Sequence, residues 1–205
     1  DLGSIALLVL LTVSLLYVAT GRLRYLAGGL VLLSLTGFAG YFAFDHAQVR
    51  VDAWLYPGTD PGGTGYQAMQ ATYAIQAGGV TGTGLGMGQP DAIPAVATDY
   101  VFSAIAEELG LAGAFGIVLL YVVLLHAGLQ ASLKASTNYG RLVCTGIALL
   151  LAIQAAVIIA GNLRLIPTTG ITLPFVSYGG SSLVVNFALV GLVCGIAGRG
   201  HSNSS

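Results

Sequence analysis

Five stretches of this chain run for about 20 residues without a charge, the length a helix needs to cross a hydrocarbon core about 30 Å thick. Leu2–Gly21 lies between Asp1 and Arg22, and Tyr25–Phe44 between Arg24 and Asp45. Leu109–Leu125 follows Glu108 and can extend upstream to Asp99. Leu142–Leu163 lies between Arg141 and Arg164, and Val176–Gly198 ends at Arg199. Only 7% of residues are charged, against about 25% in soluble domains. The expected fold is therefore all-α: a polytopic transmembrane bundle of about five spans, within one membrane domain over residues 1–205.

The order of charges orients the spans. Placing Arg22 and Arg24 on the cytoplasmic side puts Lys134, Arg141 and Arg199 there as well, which is the bias that sets topology. Arg50 and Arg164 are then the only bases outside, together with all eight acids. Counting the uncharged Pro61–Pro90 as a sixth span would break this partition. Its nine glycines and Gln67, Gln70 and Gln76 also suit lipid poorly. Asp45–Thr98 is read instead as one long external loop with a short helix around Tyr66–Ala77, and loops of that length are usually functional or disordered. Arg164–Gly180 is apolar but interrupted by Pro167, Gly170, Pro174, Gly179 and Gly180. Broken backbone at membrane depth survives only against protein or a cavity, so a re-entrant external segment is expected.

Composition excludes several functions. No basic run exists to hold nucleic acid. Cys144 and Cys194 sit in apolar runs without a CxxC pair and read as small buried thiols. His46, His126 and His201 are scattered, so no metal triad is visible. The run Gly82–Gly88 has glycines at alternate positions and no preceding strand, which argues against a phosphate loop and for a flexible one.

Carboxylates carry the remaining chemistry. Asp99 stands at the start of the third span, where it can stabilise a helix N-terminus or serve as a general base facing an outward cavity. Glu107 and Glu108 follow two turns on, and acids this near lipid need a polar partner. Arg50 and Arg164 either snorkel to the interface or hold a phosphate-bearing ligand.

Four motifs carry a resemblance: GYQAMQATYAIQAGG (Gly65–Gly79), TGLGMG, TDYVFSAIAEELG (Thr98–Gly110) and IPTTGITLPFVSYGGSS (Ile166–Ser182). Together with RVDAWLYP (Arg50–Pro57) and the opening DLGS, they resemble the SEDS family of RodA- and FtsW-type peptidoglycan polymerases. Family members have ten transmembrane helices, and this chain is similar to their C-terminal half.

The resemblance implies a glycosyltransferase of the bacterial cytoplasmic membrane that polymerises lipid II on its outer face. It makes Asp99, in the matched TDF motif, the essential acid. It points to Arg50, Gln67, Thr98, Arg164, Ser177 and Ser181 as substrate-binding residues and to a class B penicillin-binding protein as partner. No cofactor follows from the motifs; a divalent cation, magnesium or manganese, could share the work, though no ligand set for one is visible. Two departures stand out: PAVATDY replaces the family's PEAHTDF, and Tyr100 takes the place of Phe. Two other functions fit the same spans: a flippase or transporter of lipid-linked precursors, and a non-catalytic scaffold.

Overall fold

The structure, a computed structural model, describes residues 2–59 and 63–202. Asp1 and Asp60, two of the acids counted above, lie outside the described residues, as does part of the Asp45–Thr98 segment. Seven helices follow one another among the described residues: α1 (Leu2–Thr20), α2 (Leu23–Ala43), α3 (Asp45–Leu55), α4 (Thr64–Gly78), α5 (Val101–Lys134), α6 (Asn138–Asn162) and α7 (Gly180–Ser202). Short 3-10 turns occupy Pro57–Thr59 and Pro90–Ala92.

Helices α1, α2, α5, α6 and α7 are each long and apolar enough to cross a membrane, so the five uncharged runs are the five spans. Lipid cannot satisfy a hydroxyl, and Thr12, Ser14, Thr20, Ser34 and Thr36 of α1 and α2 bond within their own helices. Thr12 donates to Leu8 O at 2.7 Å, Ser14 to Leu10 O at 2.7 Å and Ser34 to Leu30 O at 2.9 Å. Helix α6 is the centre of the bundle: 39% of its most apolar window is buried, against 6–11% for the other four. It packs on α1, α5 and α7. The core between α5 and α6 is Phe102, Ala155 and Ile158, closed by Leu173 from the irregular segment that follows α6.

Asp45–Thr98 departs from the sequence expectation of a loop with one helix. It holds two, α3 and α4, and both pack into the molecule: α3 against α2 and α4, and α4 against α5. Helix α3 carries Asp45, Arg50 and Asp52 within 11 residues, so it has no apolar run by which to be recognised.

The glycine-rich run is a strap rather than a free loop. Helix α5 spans 34 residues and is broken at Gly110, whose φ of 65° and ψ of −160° interrupt the helical ladder. The carbonyls orphaned there are taken up by the strap: Thr83 N–H donates to Glu107 O at 2.9 Å and Gly84 N–H to Glu108 O at 3.0 Å. Leu111 N–H in turn donates to Gly79 O at 3.0 Å. The approach requires glycine on both sides, since a Cβ on Gly110 would lie 2.3 Å from Gly82 N, and one on Gly82 2.1 Å from Glu108 O.

Candidate active site around Asp99

Asp99 ends a tight turn rather than lying inside a helix. Its N–H donates to Ala95 O at 3.0 Å, with Ala95 in the left-handed region at φ 56°. Helix α5 starts two residues later. The carboxylate is half-buried and makes no hydrogen bond or ion pair to any described residue. It lines a cleft of about 10 Å³, with Asn162, Thr168, Thr169 and Gly170 among its other walls. That is room for about one water.

The backbone around this carboxylate is held from two directions. From α6, the Asn162 side chain, only 2% exposed, donates through Nδ2 to Asp99 O at 2.8 Å and to Ile158 O at 3.0 Å. Its Oδ1 accepts from Ser103 N at 3.2 Å and Ser103 Oγ at 2.9 Å. From the segment after α6, Ser177 Oγ donates to Thr98 O at 2.6 Å and accepts from Leu173 N at 2.9 Å. Tyr178 N–H donates to Ala97 O at 2.8 Å. Arg164 and Phe175 in that segment also have positive φ, 56° and 65°. Strained backbone of this kind persists only where the surroundings over-determine it.

Arg50 and Arg164 both tie α3 to the segment after α6. Arg50, on α3, donates through Nη1 to Thr168 O at 3.3 Å. Its Nη2 lies so near Gly170 that a Cβ there would come within 2.8 Å. Arg164 and Trp54 form a reciprocal pair: Arg164 Nη2 donates to Trp54 O at 2.8 Å, and Trp54 Nε1 to Arg164 O at 2.8 Å. Arg164 Nε is buried without a partner. The charges of Asp99, Arg50 and Arg164 all act on Tyr100, so the three share one electrostatic neighbourhood. Burial pushes the Tyr100 phenol above its usual range; Thr168 opposes that shift, Asp99 adds to it, and the two arginines oppose it.

Of the expected substrate-binding residues, Thr98 and Ser177 are joined by their hydrogen bond; Arg50 reaches the Thr168–Gly170 stretch behind Asp99, whereas Arg164 turns to Trp54 on α3. Gln67 lies half-buried on α4, and Ser181 is exposed at the start of α7. Neither makes a hydrogen bond to the Asp99 turn. Asn162 and Trp54 were not singled out from the sequence. A carboxamide at the end of an apolar span, about two turns beyond Gln154, is the signal for Asn162, because polar groups at membrane depth need a reason.

Phe102, three residues after Asp99, also lines an apolar groove of about 250 Å³ between α4, α5 and α6, together with Ile75, Leu111, Phe115, Ile159 and Leu163.

Residues 1–201 match the FtsW/RodA/SpoVE family, described as cell cycle proteins. The chain is 42% identical over 197 residues to the peptidoglycan glycosyltransferase RodA of Mycobacterium tuberculosis (strain ATCC 25618 / H37Rv), covering 96% of this chain and 42% of RodA. It is 38% identical to the stage V sporulation protein E of Bacillus subtilis (strain 168), covering 96% of this chain and 54% of that protein. Among solved structures, a chain described under the structural coordination of polymerization and crosslinking by a peptidoglycan synthase complex aligns with a TM-score of 0.69 and 33% identity, covering 87% of this chain and 50% of that one. The chain thus spans about half the length of the relatives it matches. Five apolar spans and these matches make it part of a multi-pass membrane protein, and the chain belongs to the FtsW/RodA/SpoVE family.

Proposed function

We propose that the protein carrying this chain is a peptidoglycan glycosyltransferase that polymerises lipid II, with Asp99 as general base. The observation that supports this is the Asp99 carboxylate. It is half-buried, unpaired and set on a turn whose backbone is fixed by Asn162, Ser177 and Tyr178. A pre-positioned, uncommitted acceptor is what proton abstraction needs.

In lipid II the departing group is a pyrophosphate that already bears charge, so no protein acid need protonate it. A single inverting displacement then requires one base to take the proton of the acceptor hydroxyl. A glycosidase, by contrast, requires two carboxylates. Arg50 is the better placed of the two arginines to meet the pyrophosphate, because its one hydrogen bond to the protein is long. Arg164 is committed to Trp54 and acts mainly as scaffold. The apolar groove against Phe102 suits a donor that carries a lipid chain. A divalent cation, magnesium or manganese, would find Asp99 as its one carboxylate here, with substrate phosphates completing the set. The proton transfer does not depend on it.

We place the Asp99 end of the bundle on the outer face of the cytoplasmic membrane, as the distribution of bases indicates. A class B penicillin-binding protein is the proposed partner, in keeping with a solved neighbour that is part of a peptidoglycan synthase complex. The irregular stretch between α6 and α7 also suits a carrier with broken helices. Movement of labelled lipid II across vesicles without polymer would favour that second reading.

The test is Asp99→Asn in the full-length protein, assayed for glycan polymer from purified lipid II. A loss of roughly 10²–10⁴-fold is expected, with an unchanged melting temperature. Normal product from the variant would remove Asp99 from the base role.

A further inference from the structure

A second polar recess, sharing no lining residue with the Asp99 cleft, lies between α4, α5 and the chain that joins them. It holds about 150 Å³ and is lined by Gln70, Tyr73, Ala74, Gln89, Ile93 and Glu107, among others. Glu107 is only 7% exposed. Its Oε1 accepts the Gln89 N–H at 3.0 Å, while Oε2 is buried and accepts nothing. No ion pair to a described residue neutralises it. The side chains of Gln70, Tyr73 and Gln89 make no hydrogen bonds either. A buried carboxylate without a cation is costly, and such groups are normally paired.

We propose that this recess binds a primary alkylammonium group. The charge of Glu107 asks for a cation, and the neighbouring Glu108, whose Cγ packs against Gly88 beside Glu107, turns away anions. An ammonium offers three donors and no acceptor. Those donors match one carboxylate oxygen and the carboxamide oxygens of Gln70 and Gln89. Tyr73 adds an aromatic face of the kind that attracts cations. Ala74 and Ile93 provide an apolar floor for a methylene stem. An inorganic cation is a poorer match: no group of three or more His, Cys, Asp or Glu side chains exists among the described residues, and calcium takes six to eight oxygens. The chemistry is shared by an amino lipid headgroup and by an amine on an extracellular peptide.

The test uses the full-length protein in phosphatidylglycerol nanodiscs, titrated with Nα-acetyl-lysine amide and with the same compound acetylated at Nε. Saturable binding of the first is expected, with the second at least tenfold weaker. Glu107→Gln is expected to weaken the first at least tenfold. Gln70→Ala, at a half-exposed position that spares the Glu107 bond, is expected to weaken it several-fold with the melting temperature unchanged. Equal binding of the two probes, no saturable binding, or displacement of the probe by magnesium or sodium alone would overturn the proposal. Replacing the lipid with phosphatidylethanolamine separates the sources. Affinity for the probe falls if the headgroup is the occupant and holds if a soluble amine is. Asp99→Asn leaves binding intact, so this result stands apart from the polymerase assay.

Discussion

Replacing Asn162 by leucine puts a bulkier, wholly apolar side chain at a buried position and removes four hydrogen bonds at once. Ser103 Oγ and Asp99 O would lose that partner, while Ser103 N–H keeps its bond to Tyr100 O; a buried polar group left unsatisfied costs about 1–3 kcal/mol. We expect Asn162→Leu to lower unfolding stability by on the order of 3 kcal/mol, measured by denaturation in detergent, and to lose polymerase activity with it. Asn162→Asp keeps the acceptor for Ser103 but cannot donate to Asp99 O or Ile158 O, so it separates the bonds to the turn and to α6 from those to Ser103. Tyr100 gives the opposite expectation. Its ring is 2% exposed and its hydroxyl is buried without a hydrogen-bond partner. Tyr100→Phe therefore removes an unsatisfied group, and the melting temperature should hold or rise. A clear fall would show that the hydroxyl is satisfied after all, with Thr168 the nearest candidate.

At the scale of elements, the kink in α5 and its strap stand or fall together. Gly110→Ala places a Cβ 2.3 Å from Gly82 N and forces alanine to φ 65°. The cost is about 1–3 kcal/mol for the backbone conformation alone, and the strap must also move. Lower unfolding stability and faster proteolysis within residues 79–88 are expected, by thermal scan and limited digestion. These elements also show what the sequence can and cannot disclose. The five spans were legible because lipid imposes a length and forbids charge. The position of Asp99 at the start of the third span was legible too, and it lies two residues before α5; its part in the chemistry is what the Asp99→Asn assay tests. Helix α3 was not, since its helicity rests on packing against α2 and α4 and on arginine bonds to residues more than 100 positions away. Nor was the strap: glycines at alternate positions look free until the carbonyls of Glu107 and Glu108, some 24 residues on, are seen to need donors. Asn162 was hidden for the same reason, its partners being distant in the chain.

For the whole molecule, the proposed orientation makes a direct prediction about access. Leu85, in the strap beside the α5 kink, is 77% exposed, and Tyr139, in the first turn of α6 just past the C-terminal end of α5, is 79% exposed. In a background lacking Cys194, which is exposed, Leu85→Cys is expected to react with an impermeant maleimide on intact cells. Tyr139→Cys is expected to react only after permeabilisation; the reverse pattern would invert the bundle. The joint in α5 has one further mechanical meaning. Above it, Val101–Leu109 is bolted to α6 and the chain behind it; below it, the remaining 24 or so residues make a rod of roughly 36 Å. A thicker or thinner bilayer is accommodated by tilting rods, and here the tilt can be absorbed at the knee without disturbing the Asp99 turn. Turnover is therefore expected to vary little across vesicles of different acyl length, until the knee is stiffened.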